Sequence, residues 1–229
     1  AEHEVFSAMF LDARHQVNLV TLPNIAYLHL QQGRVEEALA LFRKAVDMNA
    51  KARFAFGSAH AHRSFGDALV GLQRHAEALP VLREAAALFG QLQDRTSEAL
   101  MWRRIGESHE ALGEAAEARD AWLRVRRLME GSDPSCEAEA LAGAARAERA
   151  LHADAATVLA RYREALALAE QAGDARRMLG LHNALGIAYW EGGDFSSAVS
   201  QYEVALRLCE EEGDRVHEGL IRNSLGVSL

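Results

Sequence analysis

The chain has 229 residues, 49% of them hydrophobic, with a formal net charge of −8 and only 3 prolines. That length allows one or two domains, and the scarcity of proline leaves room for long helices throughout. The acidic balance argues against a general nucleic-acid or membrane-surface binder, and no apolar run reaches the roughly 18 residues of a membrane span.

In chain order, the opening AEHEVFSAMF lacks the charged start and apolar stretch of a signal peptide, and it lacks a starting methionine. It reads as a point inside a longer protein or a scar of tag removal. Residues 1–13 resemble the tail of a preceding helix, with Val5, Phe6 and Met9 on one face. Two helices are then expected in each of five rows, 14–53, 54–93, 94–133, 134–173 and 174–213. The first row carries Ala26, Ala38, Phe42 and Ala45; the second Gly66, Ala78, Leu82 and Ala85; the third Trp102, Gly106, Ala118, Trp122 and Val125. The fourth opens on Asp133-Pro134, a helix start, and continues with alanines. There Ala145, Arg146 and Arg149 replace the residues that other rows use, so the row is expected to be thinly packed and a soft point of the chain. Its second helix keeps Tyr162 and Ala165. In the fifth row Met178, Leu181, Leu185, Ala188 and Tyr189 form one apolar stripe. Gly192-Gly193 stops that helix, and Asp194 caps the next, whose stripe is Phe195, Ala198, Val199, Tyr202, Ala205, Leu206 and Cys209. Gly213 stops this one, and residues 214–229 supply a further first helix without a partner. Open apolar faces at both ends predict end-to-end association of the chain.

Gly66, Gly106, Gly186 and Gly226 are separated by 40, 80 and 40 residues. Ala78, Ala118 and Ala198 follow their glycines by twelve; Leu82, Trp122 and Tyr202 follow by sixteen. Asp94, Asp174 and Asp214 keep the same frame. The small residues belong where two helices touch and a side chain would hold them apart; the large ones fill the space to either side. A frame held from end to end predicts one continuous array, and arrays of this kind build surfaces.

The sequence Leu185-Gly186-x-x-Tyr189, with Ala198, Tyr202 and Ala205, resembles the tetratricopeptide repeat, as does Trp102-x-x-Ile105-Gly106 with Ala118 and Trp122. The usual repeat is about 34 residues; this longer one is similar to those of LGN/Pins-type scaffolds. The resemblance implies an all-α fold, a right-handed α-α superhelical solenoid of antiparallel helix hairpins with partial repeats at both ends. It also implies a concave groove, lined by first helices, that holds an extended peptide or a partner's helix. Groove-facing positions are then Asn24, Tyr27, His60, Arg63, Asp67, Arg103, Arg104, Glu107, Asn183, Trp190 and Asn223. Asparagine bonds both a peptide carbonyl and a peptide N–H, arginine takes a carboxylate in a fork, and an exposed aromatic anchors an apolar side chain. A ligand segment with acidic residues near Arg63, Arg103 and Arg104 is expected. Arg63/Asp67 and Arg103/Glu107 are also i,i+4 pairs that can satisfy each other on a solvated face.

Chemistry for catalysis is missing from the pattern. His60 and His62 point to different sides of a helix, and His62 and His182 occupy the place of Trp102, as packing residues with a polar edge. No zincin, nucleophile-elbow, phosphate-loop or dinucleotide motif occurs, so neither an enzyme nor a cofactor is expected. Cys136 and Cys209 match no metal or redox spacing and fit a reducing, cytoplasmic setting. The residues therefore favour a non-enzymatic protein-interaction scaffold. The alternative is a regulatory or ligand-sensing arm of a larger signalling protein, an NTPase or effector.

Overall fold

The computed structural model describes residues 21–228; Val5, Phe6 and Met9 lie outside them. Among the described residues there are eleven helices and no strand. In order they are α1 (Thr21–Gln31), α2 (Val35–Lys51), α3 (Ala55–Gly71), α4 (His75–Gln91), α5 (Arg95–Leu112), α6 (Ala115–Met129), α7 (Pro134–Ala150), α8 (Ala155–Ala172), α9 (Ala175–Glu191), α10 (Phe195–Glu212) and α11 (Arg215–Ser228). The fold is all-α, built of helix hairpins joined by tight turns.

The helices begin and end where the local chemistry dictates. Asp133, Asp154, Asp174 and Asp194 each accept a hydrogen bond from the backbone N–H three residues on, which satisfies one of the orphan donors of α7, α8, α9 and α10. Asp94 and Asp214 do the same through Ser97 and His217, at 3.0 and 3.1 Å. Gly193 and Gly213 take φ of 81° and 70° in the turns before Asp194 and Asp214, a region that glycine enters without a Cβ clash. Helix α4 runs on through Pro80, whose side chain is exposed.

By their packing the described residues divide into two compact units, one up to Ser108 and one from His109 on, with the division falling inside α5. In the first, Phe42 is fully buried and stacks on Phe65 with ring centroids 5.9 Å apart, while Tyr27 meets it edge-on at 5.1 Å. Gly66 admits Leu82: a Cβ at residue 66 would lie 2.5 Å from the leucine Cδ2. Burying a side chain such as Leu82 or Phe42 contributes roughly 1.5–3 kcal/mol.

In the second unit the same device recurs where Tyr202 lies over Gly186, with a Cβ position 2.5 Å from its Cε1. The fourth row corrects expectation. Helix α7 is buried along most of its length, at Ala138, Ala140, Leu141, Ala144, Ala145 and Ala147 among others. Its small side chains let neighbours approach closely, and Gly143 admits the preceding helix: the Trp122 ring of α6 lies 2.3 Å from where a Cβ would stand. Two acids buried in α7 are matched. Glu137 accepts from the Gly131 N–H at 2.7 Å, and Glu148 takes a two-bonded fork from Arg161, both bonds 2.7 Å. Phe195, assigned to an apolar stripe by spacing, is half exposed because it is the first residue of α10 and has no preceding turn to cover it.

Candidate functional site

Helices α3 and α5 present five of the groove-facing residues as one charged row in the first unit. Arg63 Nε stands 3.7 Å from Asp67 Oδ2. Asp67 Oδ1 accepts from Arg104 Nε at 3.1 Å, and Arg104 Nη1 donates to Glu107 Oε2 at 3.0 Å. Arg103 Nε is 3.8 Å from Glu107 Oε1. The charges alternate, three cations to two carboxylates, and every member is about a quarter to a third exposed. Burial pulls the Arg104 guanidinium down, but the hydrogen bonds and charges of Glu107 and Asp67 outweigh it, so it stands above the ordinary arginine value.

Tyr27 reaches the edge of this row: its hydroxyl donates to the Ser64 carbonyl at 3.0 Å while a third of the residue stays exposed. Burial, then the Asp67 charge, raises its phenol. Asn24 is exposed on α1. His60 is a ring among rings, 4.3 Å from Phe56 and 5.3 Å from Phe89, and burial followed by the Arg63 charge lowers its pKa. The positions His62, Trp102 and His182 each combine a packed ring with one polar bond, to the Ser58 carbonyl at 2.7 Å, Glu98 at 3.3 Å and Gln201 at 2.8 Å.

In the second unit, Asn183 and Trp190 lie on α9 and Asn223 on α11. Trp190 is 40% exposed near the end of α9, and Asn223 is exposed on α11. Asn183 borders an open cleft of about 590 Å³, together with Arg146 and Arg149 of α7 and Arg176 and Arg177 of α9. Its floor is apolar, with Leu181, Ala184 and Ile187. The amide oxygen of Asn183 is shielded from solvent and has no hydrogen-bond partner. Arg146 lies over the Trp122 ring at 5.7 Å and gives Nη2 to Glu110 at 3.2 Å; Arg149 gives Nη1 to Glu191 at 3.3 Å. Arg177 bonds Asp174 and Ser135, at 3.2 and 3.3 Å. Arg176 is exposed and carries no partner among the described residues. The sequence pattern left these four arginines out of the site. The available signal was the departure of Arg146 and Arg149 from the repeat frame.

Among the described residues no cluster of histidine, cysteine or acid could hold a metal ion, and no helix is long and apolar enough to cross a membrane.

Paired helices that meet at framing glycines, with polar residues on the faces left open, define a helical-repeat protein. Tetratricopeptide-repeat models match residues 17–91, 63–129 and 181–216, together more than half of the sequence, and the chain belongs to the tetratricopeptide-repeat family. Comparison with curated proteins gives no match. Among solved structures, the fold is similar to the nearly identical TPR-like repeats of a putative kinesin light chain from Podosopora anserina. That match has a TM-score of 0.70 and 18% identity over 85% of this chain and 96% of that one. It is also similar to aspartyl phosphate phosphatase F from Bacillus subtilis, with a TM-score of 0.79 and 10% identity over 92% and 55% of the two chains. A third is a STAND ATPase with a tetratricopeptide-repeat sensor from Pyrococcus horikoshii, with a TM-score of 0.74 and 16% identity over 93% and 33%. This chain thus spans about half of the second and a third of the last. The family is typically one of non-enzymatic interaction scaffolds.

Proposed function

We propose that the protein is a cytoplasmic interaction scaffold that holds an extended peptide segment, or a partner's helix, against the open faces of its first helices. The observation that carries this reading is the alternating row Arg63, Asp67, Arg104, Glu107 and Arg103 on α3 and α5, bordered by Tyr27. Its members are held by one another yet stay partly exposed, so a ligand's amides and carboxylates can exchange into the row at little cost. The cations exceed the acids by one, which suits a segment bearing an acidic residue. Asn24 and His60 flank the row; Asn183, Trp190 and Asn223 offer amides and an aromatic anchor on the second unit. The 40-residue frame of the LGN/Pins-type repeats supports the same role.

The test selects peptides from a random ten-residue library on the full chain, then measures their binding to Arg63→Glu/Arg103→Glu. Binding should fall about tenfold, the effect of losing one charged hydrogen bond. Melting should move little, since each i,i+4 pair contributes only about 0.2–0.5 kcal/mol. Unchanged binding with a lowered melting temperature would make the row a structural feature and refute the reading.

A sensing arm within a larger signalling protein is the second reading, favoured by the fold shared with the STAND protein's chain. Activation of an attached domain on peptide binding would separate it from the first. The exposed Val216 and Leu220 of α11, 74% and 62% accessible, support end-to-end association; a sedimentation coefficient independent of concentration would oppose it.

A further inference from the structure

We infer that the arginine-lined cleft between α7 and α9 is the subsite where an acidic side chain of a bound peptide is read. The inference rests on the peptide-binding reading and adds where charge selectivity resides. Three observations converge. First, the cleft is lined by Arg146, Arg149, Arg176 and Arg177 against the single carboxylate of Asp174. Arg177 pairs with Asp174 at 3.2 Å within the lining, while the other carboxylates that pair with Arg146, Arg149 and Arg177, namely Glu110, Glu191 and Glu139, stand outside it, at 3.2, 3.3 and 3.6 Å. They fix the guanidinium groups while leaving other N–H donors of each. Arg176 is uncommitted.

Second, the shielded Oδ1 of Asn183 lacks a donor. A buried acceptor without a partner is costly, and a peptide backbone N–H supplies what it lacks. Third, the floor of Leu181, Ala184 and Ile187 accepts the methylenes of a glutamate or an apolar neighbour.

The contrast with the first unit sets the location. There, Arg63, Arg103 and Arg104 already face Asp67 and Glu107 within the row itself. In the cleft, Arg146 stands where the second, third and fifth rows place Gly66, Gly106 and Gly186, and Arg149 where they place Leu69, His109 and Tyr189. Packing therefore does not call for them.

The experiment uses the peptides selected above. Their pool should be enriched several-fold in Asp and Glu, and selection on Arg176→Glu should lose that enrichment. A labelled acidic peptide from the pool should bind Arg176→Glu at least tenfold more weakly, and its Glu→Gln version should bind the wild-type chain more weakly by a similar factor. Asn183→Leu should weaken both versions alike, because it removes the backbone acceptor and not the charge. Arg176 is exposed, so its variant is expected to fold, and an unchanged circular dichroism spectrum checks this. A selected pool without acid enrichment, or equal affinity of Arg176→Glu for the acidic peptide, overturns this subsite while leaving peptide binding standing. Failure of any peptide to be selected overturns both.

Discussion

Helix α9 holds two glycines that the structure treats in opposite ways, and alanine substitution separates them. Nothing lies within 4 Å of the Cβ position of Gly180. At Gly186 a Cβ would stand 2.5, 2.7 and 2.9 Å from Cε1, Cδ1 and Cζ of Tyr202, a residue only 2% exposed and hemmed in by its core. Gly→Ala inside a helix gains about 0.5–1 kcal/mol when the site is open. Gly180→Ala should show that gain. At Gly186 the ring cannot retreat, and overpacking of this kind costs about 1–3 kcal/mol, which exceeds the helical gain. Gly186→Ala should therefore destabilise. The two variants of one helix should differ by about 1–3 kcal/mol, read as melting temperature and urea midpoint by circular dichroism. For a chain of this size each kcal/mol moves the melting temperature by about 2–4 °C. In a Tyr202→Ala background the clash disappears, and Gly186→Ala should become neutral or stabilising, so that the cycle reports a coupling near the overpacking cost. If Gly186→Ala stabilises as much as Gly180→Ala, the close approach at the framing glycine is not what the frame records.

Pro80 sits within α4 on its exposed side, without the N–H that would donate to the Ala76 carbonyl, so Pro80→Ala should raise the melting temperature; the gain should be about 1–3 kcal/mol, since an interior proline costs up to about 3 and its rigid unfolded chain offsets part of that. Asp174 titrates below its ordinary value of 3.8, chiefly through the Ser135 hydroxyl and then the Arg177 N–H and charge, and Asp194 and Asp214 are lowered by their cap bonds. A lowered folded pKa means stability that is complete above about pH 4 and lost as pH falls through the folded values; Asp174→Asn should flatten part of that acid limb in melting curves taken from pH 2 to 6, and an unchanged limb would remove the cap from the account.

The regular parts of the fold were legible because packing repeats. Gly66 and Gly186 could be assigned to helix contacts from spacing alone, and Leu82 and Tyr202 lie over them. Asp94, Asp174 and Asp214 were readable as caps for a similar reason, since capping acts over three residues. Where interactions join distant residues, spacing gave less. The Asp67–Arg104 bond joins residues 37 apart on different helices, and nothing local forecasts which side of its helix Arg104 turns to. The burial of α7 went against expectation because alanine was read as thin filling. Alanine and Gly143 instead bring neighbours close enough for Trp122 to cover the backbone.

The fourth row carries charge at the frame's own glycine position. At Gly66 and Gly186 a Cβ would collide with Leu82 and Tyr202 of the facing helix, whereas the close approach in α7 is a different one, between Gly143 and Trp122 of α6. Position 146 is left to a long side chain. The arginine that takes it is held on the Trp122 ring at 5.7 Å and by Glu110, which also accepts from the Trp122 Nε1 at 2.9 Å. A cation over a tryptophan face with a carboxylate beside it is anchored without being buried, and Arg149 one turn on is anchored by Glu191. Gly143→Ala should cost stability through the Trp122 clash and leave the arginines of the cleft in place. Arg146→Gln should remove one of the cleft's four arginines without that clash, so the contrast between the two variants separates what the fourth row does for packing from what it does for charge.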